Sequence, residues 1–302
     1  MDDKIRANGM YNFKKNRNLY LMMLPFLLLF FMFVILPVLT SCVFSFTNFN
    51  LLQIPKFVGF DNYKKLFLND TIFITAIKNT FVIAVITGPI GYLLSFLMAW
   101  LINELPTKIR SVLTIVFYAP SISGNVYMIF RMLFSSDPYG YLNAKLLDWG
   151  ITDKAILWLQ DTKYMMLIII LISLWMSLGF GFLSFVAGLQ TIDKTQYEAA
   201  EVDGISNRWQ ELWYITLPNM KPQMMFGAVI SITGALGVGD ITSAIMGFPS
   251  ANYAVHTIVN HLNDYGSIRM EMGYASAIAV VLFGIMLFSN RLVQKFIKRV
   301  GT

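Results

Sequence analysis

Six long stretches of the chain contain no Asp, Glu, Lys or Arg, and this pattern constrains the fold more than any other feature. An α-helix crosses the apolar core of a bilayer with about 20 consecutive apolar residues. A seventh uncharged stretch, 241–263, contains too many Gly, Pro, Asn and His residues for such a helix. The pattern predicts an all-α membrane protein with six transmembrane helices, within the stretches 18–55, 79–103, 111–130, 164–192, 222–239 and 272–290.

The composition agrees with lipid as the solvent and excludes several other classes of protein. Only 13% of the 302 residues are charged, whereas a soluble domain carries about 25%. The 15% of aromatic residues exclude a disordered chain, and the single Cys42 excludes a disulfide scaffold. The first apolar run is too long for a cleaved signal peptide, and Pro25 and Pro37 within it are tolerated in a membrane helix.

The distribution of Lys and Arg between the connecting segments predicts the orientation. The side that holds both termini carries 14 of these residues, and the opposite side carries 7. Because basic residues are enriched in cytoplasmic segments, both termini should be cytoplasmic, and the net charge of +6 does not indicate a nucleic-acid partner. The external segments 48–71 and 135–163 are long enough for short interfacial helices. The predicted organisation is a basic N-terminus (1–18), a six-span domain (19–296) and a C-terminal tail (297–302).

The cytoplasmic segment 190–222 is polar, yet its sequence is typical of two short helices. Asp193 and Gln196 have the spacing of a capping box, and Gly204 is placed to end the first helix. Helices this short are marginal in water, so they must pack against something.

Asn207 and Gln210 repeat the capping signature for a second helix, which Pro218 should end near Leu217. This helix carries more apolar surface than a solvated loop needs, from Trp209, Leu212, Trp213 and Tyr214. Two interpretations remain open for Trp213 and Tyr214: packing on the protein's own spans, or contact with a partner.

The same segment resembles the EAA loop of permease subunits of binding-protein-dependent ABC importers. The resemblance is carried by Glu198-Ala199-Ala200, Asp203-Gly204 and Ile215-Thr216-Leu217-Pro218. From about residue 19 to the C-terminus the chain is similar to the carbohydrate-importer branch, of the maltose and glycerol-phosphate type. Further matching motifs are Pro37 followed by Ser45-Phe46-Thr47, the run 58–63, Asn79-Thr80, and the run 273–277.

The resemblance implies a type I ABC importer permease fold in a bacterial cell membrane. It implies a heterodimer with a second, related permease subunit, two ATP-binding subunits and an extracytoplasmic solute-binding protein. In that family the loop forms a coupling helix that docks on the ATP-binding subunit. The residues implied in this coupling are Glu198, Ala199, Ala200, Asp203, Gly204, Trp209, Leu217 and Pro218.

The spacing within the loop departs from the family pattern. Ten residues separate Gly204 from Ile215, where nine are usual. An extra residue inside a helix rotates everything after it by about 100°. We expect Ser206 or Asn207 to absorb the extra residue in the turn between the two helices.

The chain lacks the sequence features of an enzyme that hydrolyses ATP. A phosphate-binding loop needs the pattern GxxxxGK[ST], and no glycine here is followed by lysine. ATP and Mg²⁺ should therefore bind to a partner subunit, with no cofactor on this chain. His256 and His261 are five residues apart, a spacing that does not favour a metal site.

Ionisable and hydrogen-bonding side chains at membrane depth are the candidates for contact with the transported solute. An ionisable group there usually faces a cavity or a partner, and Asp240 is the clearest case. Sugars are bound by hydrogen-bonding groups together with aromatic rings. The candidates for a sugar pathway are Asn125, Tyr127, Trp175, Asp240, Thr242 and Tyr274.

Three alternatives to a sugar importer remain open at this stage. A secondary transporter or channel would favour paired intramembrane acids and broken helices in internal repeats. A membrane-embedded enzyme would need a catalytic cluster, and the sequence offers no Ser/His/Asp or His/Glu constellation. An ABC importer of another polar solute, such as a phosphorylated polyol, shares every feature above. The sequence does not identify the sugar.

Overall fold

The computed structural model describes residues 16–123 and 126–297. Within these ranges, four helices are long and apolar enough to cross a membrane, and two bent helix pairs raise the number to six if each pair forms one span. The six-helix prediction is confirmed. We number the spans 1 (Asn18–Phe44), 2 (Thr71–Asn103), 3 (Thr107–Ile122 with Val126–Leu133), 4 (Thr162–Thr191), 5 (Lys221–Leu236 with Asp240–Met246) and 6 (Met272–Ile297).

Span 1 tolerates both of its prolines. Pro25 lies inside the helix Arg17–Phe30, and Pro37 is the second residue of the helix Leu36–Phe44. A π-helical turn, Phe31–Ile35, joins the two helices. The span ends at Phe44, well before the end of the uncharged stretch, because residues 47–57 turn back in a hairpin.

Span 2 begins eight residues earlier than the uncharged stretch indicated. Asp70 caps this helix by accepting a hydrogen bond from the Phe73 N–H (2.9 Å), so the helix starts at Thr71 and includes the exposed Lys78. Asn79 and Thr80 therefore lie two turns inside the helix, not at its start.

Spans 3, 4 and 5 are all interrupted. The two parts of span 3 are inclined at 84° and those of span 5 at 42°. Span 4 consists of Thr162–Met176 and Phe180–Thr191, separated at residues 177–179. Span 5 continues past Asp240 to Met246, so it includes the first residues of the stretch 241–263 that we had excluded from the spans.

Short helices occupy the connecting segments, as predicted for the two external ones. On the outside these are Asp61–Lys64 with the π turn Lys65–Asn69, Tyr141–Asp148, the 3₁₀ turn Ala251–Tyr253, and Ile258–Asn263 with the π turn Asp264–Ile268. On the inside they are Lys194–Val202, Arg208–Glu211, the π turn Leu212–Thr216 and Leu217–Asn219.

Spans 2, 4 and 5 pack on one another and form the centre of the protein. On the cytoplasmic side their contact is built around Phe185, whose buried ring meets Tyr92 and Phe96 edge-on, with ring centroids 5.4 and 5.5 Å away. Span 6 packs on span 5 and on the second half of span 1. The first half of span 1 is exposed along its whole length, as expected of a helix in contact with lipid or another subunit.

Truncation of the central ring should destabilise the bundle. The substitution Phe185→Ala removes a fully buried ring and should lower the free energy of unfolding by about 3 kcal/mol. Unfolding of the purified chain in mixed micelles, titrated with a denaturing detergent, measures this. The control is Phe226→Ala, which truncates an exposed ring on span 5. Equal losses for the two variants would contradict the packing described here.

Candidate functional site

The cytoplasmic loop between spans 4 and 5 begins with the helix Lys194–Val202. The Asp193 carboxylate accepts a hydrogen bond from the Thr195 N–H (3.0 Å), and this bond lowers the pKa of Asp193, so the carboxylate stays charged at the positive end of the helix. The helix ends in a Schellman motif, in which the N–H groups of Gly204 and Ile205 donate to the carbonyls of Glu201 and Ala200. Gly204 has φ +95°, a conformation that favours glycine.

Of the two interactions in the predicted capping box, a cap hydrogen bond accepted by Asp193 forms and the bond from the N-cap backbone to Gln196 does not. Asp193 is the N-cap, but the Gln196 side chain does not return to the N-cap backbone. Its Oε1 instead accepts a hydrogen bond from Asn219 Nδ2 (2.7 Å), just before span 5. The tertiary contact with Asn219 replaces the local one and joins the two ends of the loop.

The second helix of the loop starts as predicted and ends differently. Asn207 accepts a hydrogen bond from the Gln210 N–H (2.9 Å), and Gln210 Oε1 accepts one from the Ser206 N–H (3.1 Å). Pro218 does not end the helix at Leu217. The helical path continues through the π turn Leu212–Thr216 into Leu217–Asn219, so Pro218 lies within it.

The π turn bears directly on the irregular spacing of the loop. A π turn closes its hydrogen bonds between residues five apart, so it holds one residue more than an α-helical turn. The π turn Leu212–Thr216 starts after Gly204 and includes Ile215 and Thr216, the first two residues of the Ile215-Thr216-Leu217-Pro218 motif. It offers a place for the extra residue within the helix, rather than in the turn at Ser206 or Asn207.

The loop is fixed to the cytoplasmic end of span 2. Arg208 forms ion pairs with Glu104 (3.1 Å) and Glu211 (2.8 Å). The Trp209 ring lies 5.7 Å from the Trp100 ring. Exposed ion pairs contribute little individually, so the fixation depends on the combination of the paired charges and the aromatic contact.

Further contacts join the first helix of the loop to the π turn and the loop to the apolar core. The hydroxyl groups of Tyr197 and Thr216 are 3.0 Å apart and join the first helix to the π turn. Ala200 and Leu217 are buried, and Leu217 belongs to the central apolar cluster between spans 2, 4 and 5. Movement of this loop must therefore displace the ends of spans 2 and 5.

The other side of the loop is exposed. Trp213 and Tyr214 are 57% and 66% exposed, so they do not pack on the protein's own spans. The residues implied in coupling divide into two groups. Ala200 and Leu217 are buried, with Pro218 half-buried, whereas Glu198, Ala199, Asp203, Gly204 and Trp209 are exposed.

The six candidates for solute contact do not form one cluster. Asn125 lies outside the described residues. Tyr127 is half-buried and packs against the outer apolar cluster. Trp175 is partly exposed and meets the Phe130 ring edge-on at 5.1 Å. Asp240 is the exposed first residue of the helix Asp240–Met246, at the break in span 5.

Thr242 and Tyr274, the other two candidates, are buried, and their hydroxyl groups are already paired within the protein. Thr242 Oγ1 is 2.6 Å from the Gly239 carbonyl oxygen and 2.7 Å from Asn260 Oδ1. The Tyr274 hydroxyl donates to Asp70 Oδ2 (2.8 Å). In this conformation both residues contribute to a buried polar network on the outer side.

That outer network is built on a chain of three titratable groups. His261 Nε2 lies 3.0 Å from Asp70 Oδ2, and His261 Nδ1 lies 3.3 Å from His256 Nε2. The carboxylate can only accept, so His261 carries its proton on Nε2 and accepts at Nδ1. His256 must then donate from Nε2. The network joins the start of span 2 to the helix Ile258–Asn263 and to span 6.

The protein environment keeps both imidazoles neutral. Burial lowers the pKa of His256 from 6.5 to about 4 and also lowers the pKa of His261, in spite of the adjacent Asp70. Burial alone would raise the pKa of Asp70, but hydrogen bonds from the Phe73 N–H, Tyr274 and His261 outweigh it, and the pKa is lowered. The contact between His261 and Asp70 is thus a hydrogen bond rather than a salt bridge at neutral pH. The spacing of the histidines did not indicate this pairing.

A cavity of about 280 Å³ lies among spans 2 to 5 and is lined by small, hydroxyl-bearing and large apolar residues. The Ser173 Oγ is buried without a hydrogen-bond partner. No sequence pattern indicated this cavity, because serines are common in membrane helices and only the packing of the spans brings them together. The hydroxyl-bearing residues of its lining are Thr87, Tyr92, Ser95, Ser121, Ser173, Ser177 and Ser231.

The fold and the loop define a class: a multi-pass membrane protein with a fixed, partly exposed cytoplasmic loop suited to binding another protein. Residues 91–302 match the family described as binding-protein-dependent transport system inner membrane component. The chain belongs to this family and is the permease component of such a system.

Relatives of known name agree with this assignment. The probable ABC transporter permease protein YesP of Bacillus subtilis is 32% identical, over 93% of this chain and 92% of its own length. The arabinooligosaccharides transport system permease protein AraP of the same organism is 30% identical, over 89% and 84%. The lactose transport system permease protein LacF of Rhizobium radiobacter is 30% identical, over 74% of both chains.

Solved structures agree with the fold. A chain of a bacterial ABC transporter that imports the acidic polysaccharide alginate has a TM-score of 0.73 and 27% identity, with 95% of this chain and 99% of that chain covered. A second structure shows a bacterial alginate ABC transporter in complex with a periplasmic protein that holds an alginate pentasaccharide, with a TM-score of 0.75, 26% identity, and 95% and 98% of the chains covered.

The outer network should make the protein sensitive to acid. Because the pKa of His256 is lowered to about 4, the unfolded chain binds a proton below about pH 6.5 that the folded chain does not, and stability falls as the pH decreases. The melting temperature of the purified chain, measured from pH 7.5 to 4.5, should therefore decrease.

The variant His256→Gln keeps an N–H donor toward His261 but cannot titrate. Its melting temperature should change less over the same pH range. The comparison is direct because the chain contains only two histidines. Equal pH dependence of the variant and the wild-type protein would contradict a role of His256 in this effect.

Proposed function

We propose that this chain is one of two permease subunits of an ATP-driven importer of a sugar or oligosaccharide in a bacterial cell membrane. Its partners would be a second, related permease subunit, two cytoplasmic ATP-binding subunits and an extracytoplasmic solute-binding protein. The observation that carries the proposal is the cytoplasmic loop, which is fixed to spans 2 and 5 on one side and exposed on the other. The relatives named for arabinooligosaccharides and lactose support a carbohydrate as the solute.

The loop would transmit movement from the ATP-binding subunits to the spans. ATP and Mg²⁺ bind to the partner subunits, and the closure of these subunits moves whatever is docked on them as a rigid body. Glu198, Ala199 and Asp203 would lie in that contact, because they are exposed on the first loop helix. The paired Arg208 and the buried Leu217 would pass the movement to spans 2 and 5, and so alternate the access to the pathway.

Strain at Gly204 should uncouple ATP hydrolysis from transport. The substitution Gly204→Val places a β-branched residue at φ +95°, which costs about 1–2 kcal/mol. The correctly formed loop should become about tenfold less populated. In proteoliposomes that contain the complete importer, the ratio of sugar transported to ATP hydrolysed should fall, while membrane insertion stays normal.

The matched control is Gly150→Val. Gly150 also has a positive φ (+66°) and open space around its Cα, but it lies in an external loop. This variant should keep the wild-type ratio of transport to hydrolysis. A normal ratio in Gly204→Val would count against the coupling role of the loop.

The hydroxyl-lined cavity would be part of the path of the solute. Sugars present many hydroxyl groups, and Ser173 offers a hydroxyl that has no partner in the described protein. Trp175, on the same span, and Asp240 at the break in span 5 are partly exposed and available to a solute or to the second permease subunit.

Variants of Ser173 test this assignment. The substitution Ser173→Ala removes one hydrogen bond to the solute of about 0.5–1.5 kcal/mol and should raise the half-saturating sugar concentration by about two- to tenfold. Ser173→Leu should lower uptake further, because it fills the cavity. Leu167→Phe adds bulk to the exposed face of the same span and should leave uptake unchanged. Normal uptake by Ser173→Leu would place the path elsewhere.

A further inference from the structure

The segment that follows span 1 has an apolar tip that the proposed function does not use. Residues 47–57, which we name the outer hairpin, are closed by an antiparallel bridge between Thr47 and Phe57. Leu52 and Ile54 at the tip are 91% and 86% exposed, and Phe57 at the base is 80% exposed. These three large apolar side chains lie exposed within six residues, and clustered exposed apolar groups mark sites of contact with a protein or a membrane.

The outer hairpin is an ordered structure rather than a loose loop. The Asn48 N–H donates to the Lys56 carbonyl (3.1 Å), and the Lys56 N–H donates to Asn48 Oδ1 (2.8 Å). At the tip, the N–H groups of Leu52 and Gln53 both donate to Asn50 Oδ1 (3.3 and 3.1 Å). Four backbone N–H groups are thus satisfied within the hairpin, and backbone groups that enter an apolar phase need such internal partners.

The base of the outer hairpin lies where two spans leave the membrane. The Gly273 N–H, at the second residue of span 6, donates to the Phe49 carbonyl (2.7 Å). A Cβ atom on Gly273 would collide with the carbonyl oxygen of Thr47, so glycine is needed for this approach. Span 1 ends at Phe44, only two residues before the hairpin. The hairpin therefore starts at the outer boundary of the bilayer.

We propose that the tip of the outer hairpin inserts into the outer leaflet and that its partner is the phospholipid surface. The segment between Phe44 and Phe60, which includes the tip and directly follows span 1, contains no acidic residue. Its only charge is Lys56, which suits the phosphate of a headgroup.

The composition of the hairpin favours lipid over a protein partner. Protein interfaces depend on Trp, Tyr and Arg, and residues 45–60 contain none of these. Apart from Gln53, the exposed side chains between Leu51 and Pro55 are apolar, as expected of a segment that inserts beneath the headgroups. The insertion would hold the outer ends of spans 1 and 6 at a fixed depth in the membrane.

Depth-dependent quenching tests this inference on the assembled importer. The native Cys42 is replaced (Cys42→Ser), and Leu52→Cys or Ile54→Cys is labelled with an environment-sensitive fluorophore. The complex is placed in nanodiscs of phosphatidylcholine and phosphatidylglycerol that contain lipid spin-labelled near the headgroup. Asp153→Cys, an exposed charged position in another external segment, is the aqueous control, and Val43→Cys on span 1 is the lipid control.

Both tip probes should be quenched at least twofold more strongly than the probe at 153 and to a similar extent as the probe at 43. Quenching at 52 and 54 equal to that at 153 would overturn the proposal. Weak quenching that is accompanied by protection from a water-soluble quencher on addition of the solute-binding protein would also overturn it, in favour of a protein partner. Neither result depends on transport, so the outcome is independent of the proposed function.

Discussion

Backbone and side-chain polar groups that enter a bilayer must find their hydrogen-bond partners inside the protein. Spans 2 and 6 meet this requirement as uninterrupted α-helices, and span 1 is helical throughout with a single π turn. The interruptions in spans 4 and 5 face the hydroxyl-lined cavity or the buried outer network. At the break in span 5, the Gly239 carbonyl is paired with Thr242 and Asn260. At these two breaks the irregular backbone lies where other parts of the protein can satisfy it, and these are places where a solute path can exist.

The same requirement shapes the two ends of the molecule differently. On the outer side, polar groups are buried and paired, and the chain from His256 to Asp70 joins spans 2 and 6 to the external helix between them. On the cytoplasmic side, a polar loop is fixed at its base by Arg208 and Leu217 and leaves a broad surface exposed. This asymmetry fits a protein that receives its solute outside and its driving force inside.

The number of spans, their composition and the family were accessible from the sequence, because charge-free runs and the Glu198 to Gly204 motif are local signals. The start of span 2 could not be predicted from the charge-free run. The N-cap at Asp70 starts the helix at Thr71, and the charged Lys78 is included in it. Gln196 followed a tertiary partner instead of its local one. His256 pairs with His261 because the helix Ile258–Asn263 brings the two rings together. This pairing could not be predicted from the spacing of the two residues in the sequence.

The central claim of this account is that the chain forms a pathway but depends on other subunits for its driving force. Uptake of a labelled oligosaccharide into proteoliposomes tests it most directly, with the chain alone compared with the complete importer and its solute-binding protein. Uptake should require ATP on the side of the cytoplasmic loop, the ATP-binding subunits and the solute-binding protein together. Uptake by this chain alone, driven by an ion or solute gradient, would contradict the account.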